Sequence, residues 1–186
     1  MARRGRGRQR QQEAPPALTP LGEPVYLISI RPVYAYQIFR GTKRYELRRW
    51  VAGEIPEGSI MVVYASGNVR AIIGEFRVGH VVRGTAEHVW SVVMSDRESG
   101  IRGDAWHYIK GSDRAMALEV LEPRLYPRRV TLEEIRRIIP GWNPPLSYKL
   151  LREGEPLYEL VIRKLRRLAG LEPPEEEPTG DVEGQS

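Results

Sequence analysis

The segment from Arg70 to Arg83 constrains the fold more than any other, because its pattern is that of one long strand. Apolar β-branched residues alternate with polar ones along it, which is typical of a strand with one buried face. The alternation predicts that one face of this strand carries Ile72, Phe76 and Val78. Gly74 and Gly79 lie inside the strand, where glycine indicates a bend or a bulge. Small β-barrels turn their corners in this way, so the segment favours a curved sheet.

The other predicted elements do not alternate regularly between strand and helix, which argues against a doubly wound parallel sheet. Five strands are predicted, over 25–30, 43–50, 60–64, 70–83 and 113–121. Helices are predicted over 33–40, 85–94, 131–139 and 155–169. The sequence therefore predicts an α+β domain, built as a small, mostly antiparallel β-barrel with peripheral helices.

The last predicted helix is amphipathic at the ordinary helical period. Its buried stripe is expected to contain Leu157, Leu160, Val161, Leu165 and Leu168. Its water-facing side is expected to contain Arg163, Lys164, Arg166 and Arg167. This basic face is a solvated surface or a track for a nucleic-acid backbone.

Charge is unevenly distributed along the chain. The whole chain carries a net charge of +5, while residues 1–13 carry +4 and residues 171–186 carry −6, so the residues between carry +7. The Arg- and Gly-rich arm over 1–22 and the acidic tail over 171–186 lack an apolar period, and both are predicted to be disordered. One domain is then predicted over 23–170. A basic domain with an arginine-rich arm favours a nucleic-acid partner.

Several classes of protein are excluded by residues that the sequence lacks. It contains no cysteine, which excludes disulfides, thiolate metal sites and a cysteine nucleophile. Its three histidines are not in a metal-binding spacing, and no phosphate-binding loop or Ser-His-Asp set stands out, so neither a metal nor a cofactor is predicted. No apolar run of about 18 residues and no secretory signal are present, so a cytoplasmic protein without a membrane span is expected.

The densest polar cluster follows the first predicted helix and reads Gly41-Thr-Lys-Arg-Tyr-Glu-Leu-Arg48. Glu46 and Arg48 are two residues apart, so they share one face of a regular strand and can orient each other. Lys43 lies at the junction of helix and strand, where a loop can direct its ammonium to the same place. Such a set can present donors and an acceptor to a base edge or a phosphate. The same spacing also fits a surface salt bridge that contributes little to stability.

This cluster resembles the G-x-K-x-x-E-x-R signature of ASCH domains, a family related to the PUA fold. Further segments resemble the archaeal branch of the family and follow in the same order, so that the resemblance covers about residues 25–151. They are Ser29-Ile-Arg-Pro32, Tyr64-Ala-Ser66, Ile73-Gly-Glu-Phe76 and Pro144-Pro-Leu-Ser-Tyr148.

The resemblance implies a PUA-like barrel with a basic cleft that binds RNA. Lys43, Glu46 and Arg48 would line that cleft, and Gly41 would permit a close turn beside it. The residues that would lie on its rim are Ser29, Arg31, Ser66, Ser147 and Tyr148. Some bacterial members are amidohydrolases that act on N4-acetylcytidine through a lysine and a threonine of the signature, with a glutamate elsewhere. Glu46 stands at the position of that threonine here, which argues against this activity.

We therefore expect a non-catalytic RNA-binding module that takes single-stranded RNA or a modified base in its cleft. The aromatic side chains that could stack on bases are Tyr45, Tyr64, Trp106, Tyr108 and Tyr148. The alternative is a hydrolase that acts on N4-acetylcytidine or cleaves RNA weakly, as other family members do. DNA stays an alternative ligand, and the sequence leaves the oligomeric state open.

Overall fold

Six strands form a single sheet in the computed structural model, which describes residues 22–49 and 53–171. In chain order they are β1 (Val25–Ile30), β2 (Tyr45–Arg49), β3 (Ile60–Ala65), β4 (Ala71–Gly84), β5 (Ala115–Thr131) and β6 (Tyr148–Leu151). Their order across the sheet is β2-β5-β4-β3-β1-β6, in which β1 and β3 are parallel and the other neighbours antiparallel. The sheet curls into a half-barrel with β2 and β6 at its edges, so the α+β, PUA-like prediction is confirmed. Apart from Gly22 and Leu171, the predicted arm over 1–22 and the predicted tail over 171–186 lie outside the described residues.

Two of the helices begin at the capping residues that the sequence predicts, Thr85 and Thr131. The helices are α1 (Pro32–Phe39), α2 (Ala86–Ser95), α3 (Trp106–Ile109), α4 (Leu132–Ile138) and α5 (Pro156–Glu159), the last continuing as a π-helix over Leu160–Arg166. The Thr85 hydroxyl accepts a hydrogen bond from the His88 backbone N–H at 3.2 Å and begins α2. Thr131 and Glu134 form the predicted capping box at the start of α4.

The central strands are buried on both faces, as their continuous apolar sequences predict. On β1, Leu27 packs into a cluster with the C-terminal helix, while Ile28 on the opposite face packs into a cluster with α1. Met61 and Val62 of β3 divide between the same two clusters. A third cluster lies beneath α2 and contains Leu47 of β2. α1 is therefore fixed against the sheet, and the signature begins in the turn that follows it.

The pairing of strand β4 with β5 is irregular around both of its internal glycines. The register shifts between Ile72 and Gly74, between Glu75 and Arg77, and between Val78 and Val81, around Gly79. A Cβ atom at Gly74 would overlap the Arg124 carbonyl oxygen, so only glycine fits this close approach of two strands. The predicted face is wrong at one position, since Ile72 packs in a different cluster from Phe76 and Val78. The extra residue in the bulge exchanges the two faces of the strand.

Strand β5 extends ten residues beyond its predicted end at Leu121, through Pro123 and Pro127 to Thr131. Its second half pairs with the beginning of β4 across the register shifts, and Ala71 lies opposite Thr131. The short strand β6 was not predicted, and it completes the sheet by pairing with β1. Long-range pairing, which local sequence does not encode, determines both outcomes.

The C-terminal helix departs from its predicted faces at two residues. Arg166 is buried, at 3% exposure, and Leu168 is 56% exposed. A π-helix bonds residue i to i+5, so residues after it are rotated from their positions in an α-helix. Glu75 Oε2 accepts hydrogen bonds from Arg166 Nε at 2.9 Å and from the Tyr126 hydroxyl at 2.7 Å. A buried ion pair therefore joins this helix to the middle of β4.

Candidate functional site

The signature residues lie on edge strand β2 and on the turn that leads into it. α1 ends at Phe39 and is capped by Arg40, and Gly41 follows with a φ of +75°, a left-handed conformation that glycine adopts without strain. The Gln37 carbonyl then accepts hydrogen bonds from the backbone N–H groups of Thr42 and Lys43, at 3.0 and 3.2 Å. The turn therefore holds Lys43 close to the first residues of β2.

Glu46 is the centre of a three-residue ionic network. Arg48 donates from Nε to Glu46 Oε1 at 3.0 Å, and its Nη2 lies 3.0 Å from the same oxygen. Lys43 donates from Nζ to the other carboxylate oxygen, Oε2. Each carboxylate oxygen thus binds one cation, and the shared face of Glu46 and Arg48 is confirmed.

The network is buried, which excludes a surface salt bridge. The side chains of Lys43, Glu46 and Arg48 are each 7% exposed. Buried charges need further partners to offset the loss of hydration. Arg48 donates from Nη2 to the Ser29 carbonyl oxygen, and Lys43 Nζ lies 5.7 Å from the centre of the Tyr34 ring, a cation–π distance.

Opposing effects act on the pKa of Glu46, and the two cations prevail. Burial alone raises the pKa of this carboxyl group, because a low-dielectric environment disfavours the charged form. The charges of Lys43 and Arg48, together with their hydrogen bonds, lower it further than burial raises it. The pKa of Glu46 is therefore below its ordinary value of 4.5, and the carboxylate is ionised at neutral pH.

The network forms part of the wall of a cavity of about 680 Å³, which we call the signature cavity. This volume falls in the range of small-molecule sites, roughly 300–1,000 Å³. Two other segments bring exposed residues to its mouth: His107 and Tyr108 come from α3, and Leu146 comes from the loop before β6. Tyr108 is 47% exposed and Leu146 fully exposed, so apolar surface lies beside the buried charges.

The structure brings together most of the residues that the resemblance implies. The signature cavity is lined by Ser29, Arg31, Lys43, Glu46, Arg48 and Ser66. Gly41, Ser147 and Tyr148 do not line it. Gly41 shapes the preceding turn, the Ser147 carbonyl accepts a hydrogen bond from the Ser29 N–H at 3.0 Å, and the Tyr148 ring packs on Tyr26.

Of the five aromatic residues considered for base stacking, Tyr108 lines the signature cavity. Tyr64 is instead buried, with its ring 5.8 Å from that of Trp142. Tyr34, Asp104 and His107 also line the signature cavity, although no sequence pattern predicts them there. No local pattern links them to the signature, because folding alone brings α1 and α3 beside β2.

Neither a metal site nor a membrane-spanning helix is found in the parts of the chain that the structure describes. Over 22–49 and 53–171, no three His, Asp or Glu side chains are grouped so that they could hold a metal ion. No helix within these ranges is long and apolar enough to cross a membrane.

The sequence model of the ASCH domain matches residues 28–124, which is more than half of the chain. The matched segment runs from β1 into β5 and includes the whole signature. The ASCH domain is a PUA-like fold of the RNA-binding type. This chain belongs to the ASCH domain family.

Solved structures are similar to this chain over most of its length. The crystal structure of ASCH from Zymomonas mobilis shares 26% identity at a TM-score of 0.63, covering 74% of this chain and 93% of its own. A mutant of the same protein shares 25% identity at the same TM-score, with coverage of 74% and 94%. A Pseudomonas putida protein at 13% identity and TM-score 0.50, with coverage of 75% and 97%, shares the fold. A search of the curated proteins finds no match. These comparisons give no support to an assignment to the archaeal branch.

Proposed function

We propose that this chain is a non-catalytic RNA-binding module, and that the signature cavity receives one base and its adjoining phosphate from single-stranded or modified RNA. One observation carries the proposal: a buried Lys–Glu–Arg network lies on the wall of a cavity that reaches the surface. Buried charges are costly, and a cavity beside them offers a polar ligand donors that are already oriented.

The charge of the cavity suits a ligand with a single phosphate. Its lining includes the cations Arg31, Lys43 and Arg48 and the carboxylates Glu46 and Asp104, which leaves a net charge of +1. Arg31 is exposed and forms no ion pair with any described residue. Its guanidinium can therefore bind a phosphate at the mouth of the cavity.

The network itself favours recognition of a base edge. Both oxygens of Glu46 already bind cations, so its main role is to hold Arg48 and Lys43 in place. Arg48 uses Nε and Nη2 in these contacts, whereas its other terminal nitrogen makes no hydrogen bond within the described residues. That N–H group and the remaining Lys43 hydrogens can donate to carbonyl or ring-nitrogen acceptors of a base. The Tyr108 ring at the mouth offers a stacking surface.

Binding is favoured over catalysis by the state of the lysine. An ammonium in an ion pair has no electron pair with which to attack a carbonyl or accept a proton. Lys43 donates to Glu46. The lining also contains Ser29, Ser66, His107 and Asp104, but within the described residues the two serine hydroxyls donate to backbone carbonyls and no hydrogen bond joins these side chains into a catalytic set. Hydrolysis of N4-acetylcytidine or of RNA is the alternative function, and it requires a free base at this position.

The proposal is tested with exposed residues, since substitutions within the buried network would also destabilise the fold. Labelled single-stranded RNA, with and without N4-acetylcytidine, is titrated with Tyr108→Ala and Arg31→Ala, and binding is followed by fluorescence anisotropy. Loss of one stacked base costs about 1–3 kcal/mol, so Tyr108→Ala should weaken binding by about fivefold to 150-fold. Arg31→Ala should lower the slope of log K against log salt by about 0.7.

Matched controls are exposed residues that do not line the cavity. Leu125 is 52% exposed, so Leu125→Ala removes a comparable apolar side chain, and Arg129→Ala removes one exposed charge. Affinities of the site variants equal to those of their controls would overturn the proposal. Turnover of acetylcytidine or RNA by the wild-type protein would replace it with the hydrolase, provided that Lys43→Gln abolishes the turnover and thermal melting shows that this variant is still folded.

A further inference from the structure

A second cavity, of about 540 Å³, contains three arginines that the proposed function does not use; we call it the arginine cavity. Arg40 lies at the end of α1, and Arg97 and Arg102 lie on the loop after α2. All three side chains are exposed, and none forms an ion pair within the ranges 22–49 and 53–171. An arginine without a carboxylate partner keeps its planar set of donors available for an anion.

The arginine cavity is positive, because its single acidic residue has partners of its own. Asp96 is the one carboxylate in its lining, which leaves a net charge of +2. Asp96 Oδ2 lies 3.6 Å from Arg44 Nη1, and Oδ1 accepts a hydrogen bond from the Glu98 backbone N–H at 2.9 Å. The acidic side chain is therefore engaged with Arg44 and its own loop, and the three arginines determine what the cavity attracts.

The loop that carries two of these arginines is fixed to the turn before β2. The Arg44 backbone N–H donates to the Ser99 carbonyl at 2.9 Å. Gly100 has a φ of +68°, and a Cβ atom there would overlap the Thr42 carbonyl oxygen. The loop thus lies directly on the turn that holds Lys43, so both cavities are built on the same segment.

The two cavities are neighbours that share one buried side chain in their linings. Ile101 is 8% exposed and lines both of them, with Gly100 and Arg102 on either side of it in the arginine cavity. An RNA strand with one nucleotide in the signature cavity continues outside it through the next phosphate of the RNA backbone. The adjoining positive cavity lies where that backbone can run.

We propose that the arginine cavity is a phosphate subsite, in which Arg40, Arg97 and Arg102 bind the sugar–phosphate backbone of the same RNA strand. This inference rests on the proposed function. It adds that the RNA backbone runs from the signature cavity into the arginine cavity. Phosphodiesters are recognised here through charge and donors alone, so this subsite contributes affinity without sequence preference. Base recognition stays with the signature cavity.

The test compares two double variants that remove the same charge. Arg97→Ala/Arg102→Ala removes two cations from the subsite, and Arg129→Ala/Arg152→Ala removes two exposed arginines that line neither cavity. Binding of a labelled single-stranded RNA of about ten nucleotides, within the range of single-stranded sites, is measured over a series of salt concentrations. Melting temperatures verify that both variants are folded.

The subsite predicts a change in salt dependence as well as in affinity. Each phosphate contact on a single strand contributes about 0.7 to the slope of log K against log salt, so the subsite pair should lower the slope by about 1.4. The control pair should leave it near the wild-type value. The fold loss should be equal for RNAs of different sequence, and a loss confined to one sequence would contradict a backbone subsite.

The outcomes separate this inference from the function on which it rests. If Tyr108→Ala weakens binding and the subsite pair behaves like the control pair, the phosphate subsite is refuted and RNA binding in the signature cavity stands. If the wild-type protein does not bind RNA, or if none of these substitutions alters its binding, both proposals fail.

Discussion

Replacing Glu46 by glutamine tests how much the buried network contributes to stability. The substitution keeps the shape of the side chain but leaves Lys43 and Arg48, each 7% exposed, without their shared anion. Removing one partner of a buried ion pair costs about 3–5 kcal/mol. One side of this network faces a cavity, so we expect the lower end, about 3 kcal/mol. At about 2–4 °C per kcal/mol for a chain of this size, the melting temperature should fall by about 6–12 °C.

A surface ion pair in the same protein supplies the matched control. Glu98 pairs with Arg44 at 3.2 Å, but its side chain is 83% exposed. Exposed pairs contribute about 0–1 kcal/mol, so Glu98→Gln should lower the free energy of unfolding by no more than about 1 kcal/mol. Both variants and the wild type are compared by urea unfolding and by thermal melting. A loss for Glu46→Gln no larger than that for Glu98→Gln would refute the reasoning.

A second substitution separates electrostatics from packing. Adding Lys43→Met to Glu46→Gln removes one of the two cations left without an anion, while the side chain stays similar in length. The double variant should therefore be more stable than Glu46→Gln alone. A double variant that is less stable than Glu46→Gln would show that the network stabilises the fold mainly through packing and not through charge compensation.

Two further predictions concern the same region. Because the folded-state pKa of Glu46 is lowered, its contribution to stability is present above the unfolded value near 4.5 and is lost as pH falls through the folded value. The difference in unfolding free energy between wild type and Glu46→Gln, measured by urea unfolding from about pH 7 to pH 3, should therefore shrink below about pH 4.5, and a constant difference would contradict the assignment. Gly100→Ala should cost at least about 2 kcal/mol and weaken RNA binding, because a left-handed residue gains a Cβ atom against the Thr42 carbonyl. Gly103→Ala, with no atom within 4 Å of the added Cβ, is its control, and equal melting temperatures for the two variants would count against a fixed loop.

The sequence predicts the elements whose signals are local. β1 spans the predicted residues 25–30, and α4 begins at the capping box of Thr131 and Glu134. The two-residue spacing of Glu46 and Arg48 predicts their shared face, and the hydrogen bond between them follows from it. Apolar runs, caps and alternation are properties of neighbouring residues, which explains why these predictions hold.

Where the prediction differs from the structure, distant residues decide. The bulge in β4 moves Ile72 to the other face, and the π-helix buries Arg166 and exposes Leu168. The spacing of Lys43, Glu46 and Arg48 is compatible with a surface pair or with a cleft, and their burial depends on α1 and α3, which come from elsewhere in the chain. Tyr34 enters the site for the same reason. No local period contains such information.

The contact between Arg166 and Glu75 has a consequence for where the unit can be divided. The segment matched by the family ends at residue 124, yet Glu75 within it is paired with Arg166, which lies forty-two residues beyond that end. A chain cut at residue 124 would leave this carboxylate buried without its cation. It would also lack the C-terminal helix that packs on Leu27 and Val62. The signature and the C-terminal helix, although far apart in sequence, thus belong to one folded unit. Any shortened or fused form of the protein has to include both.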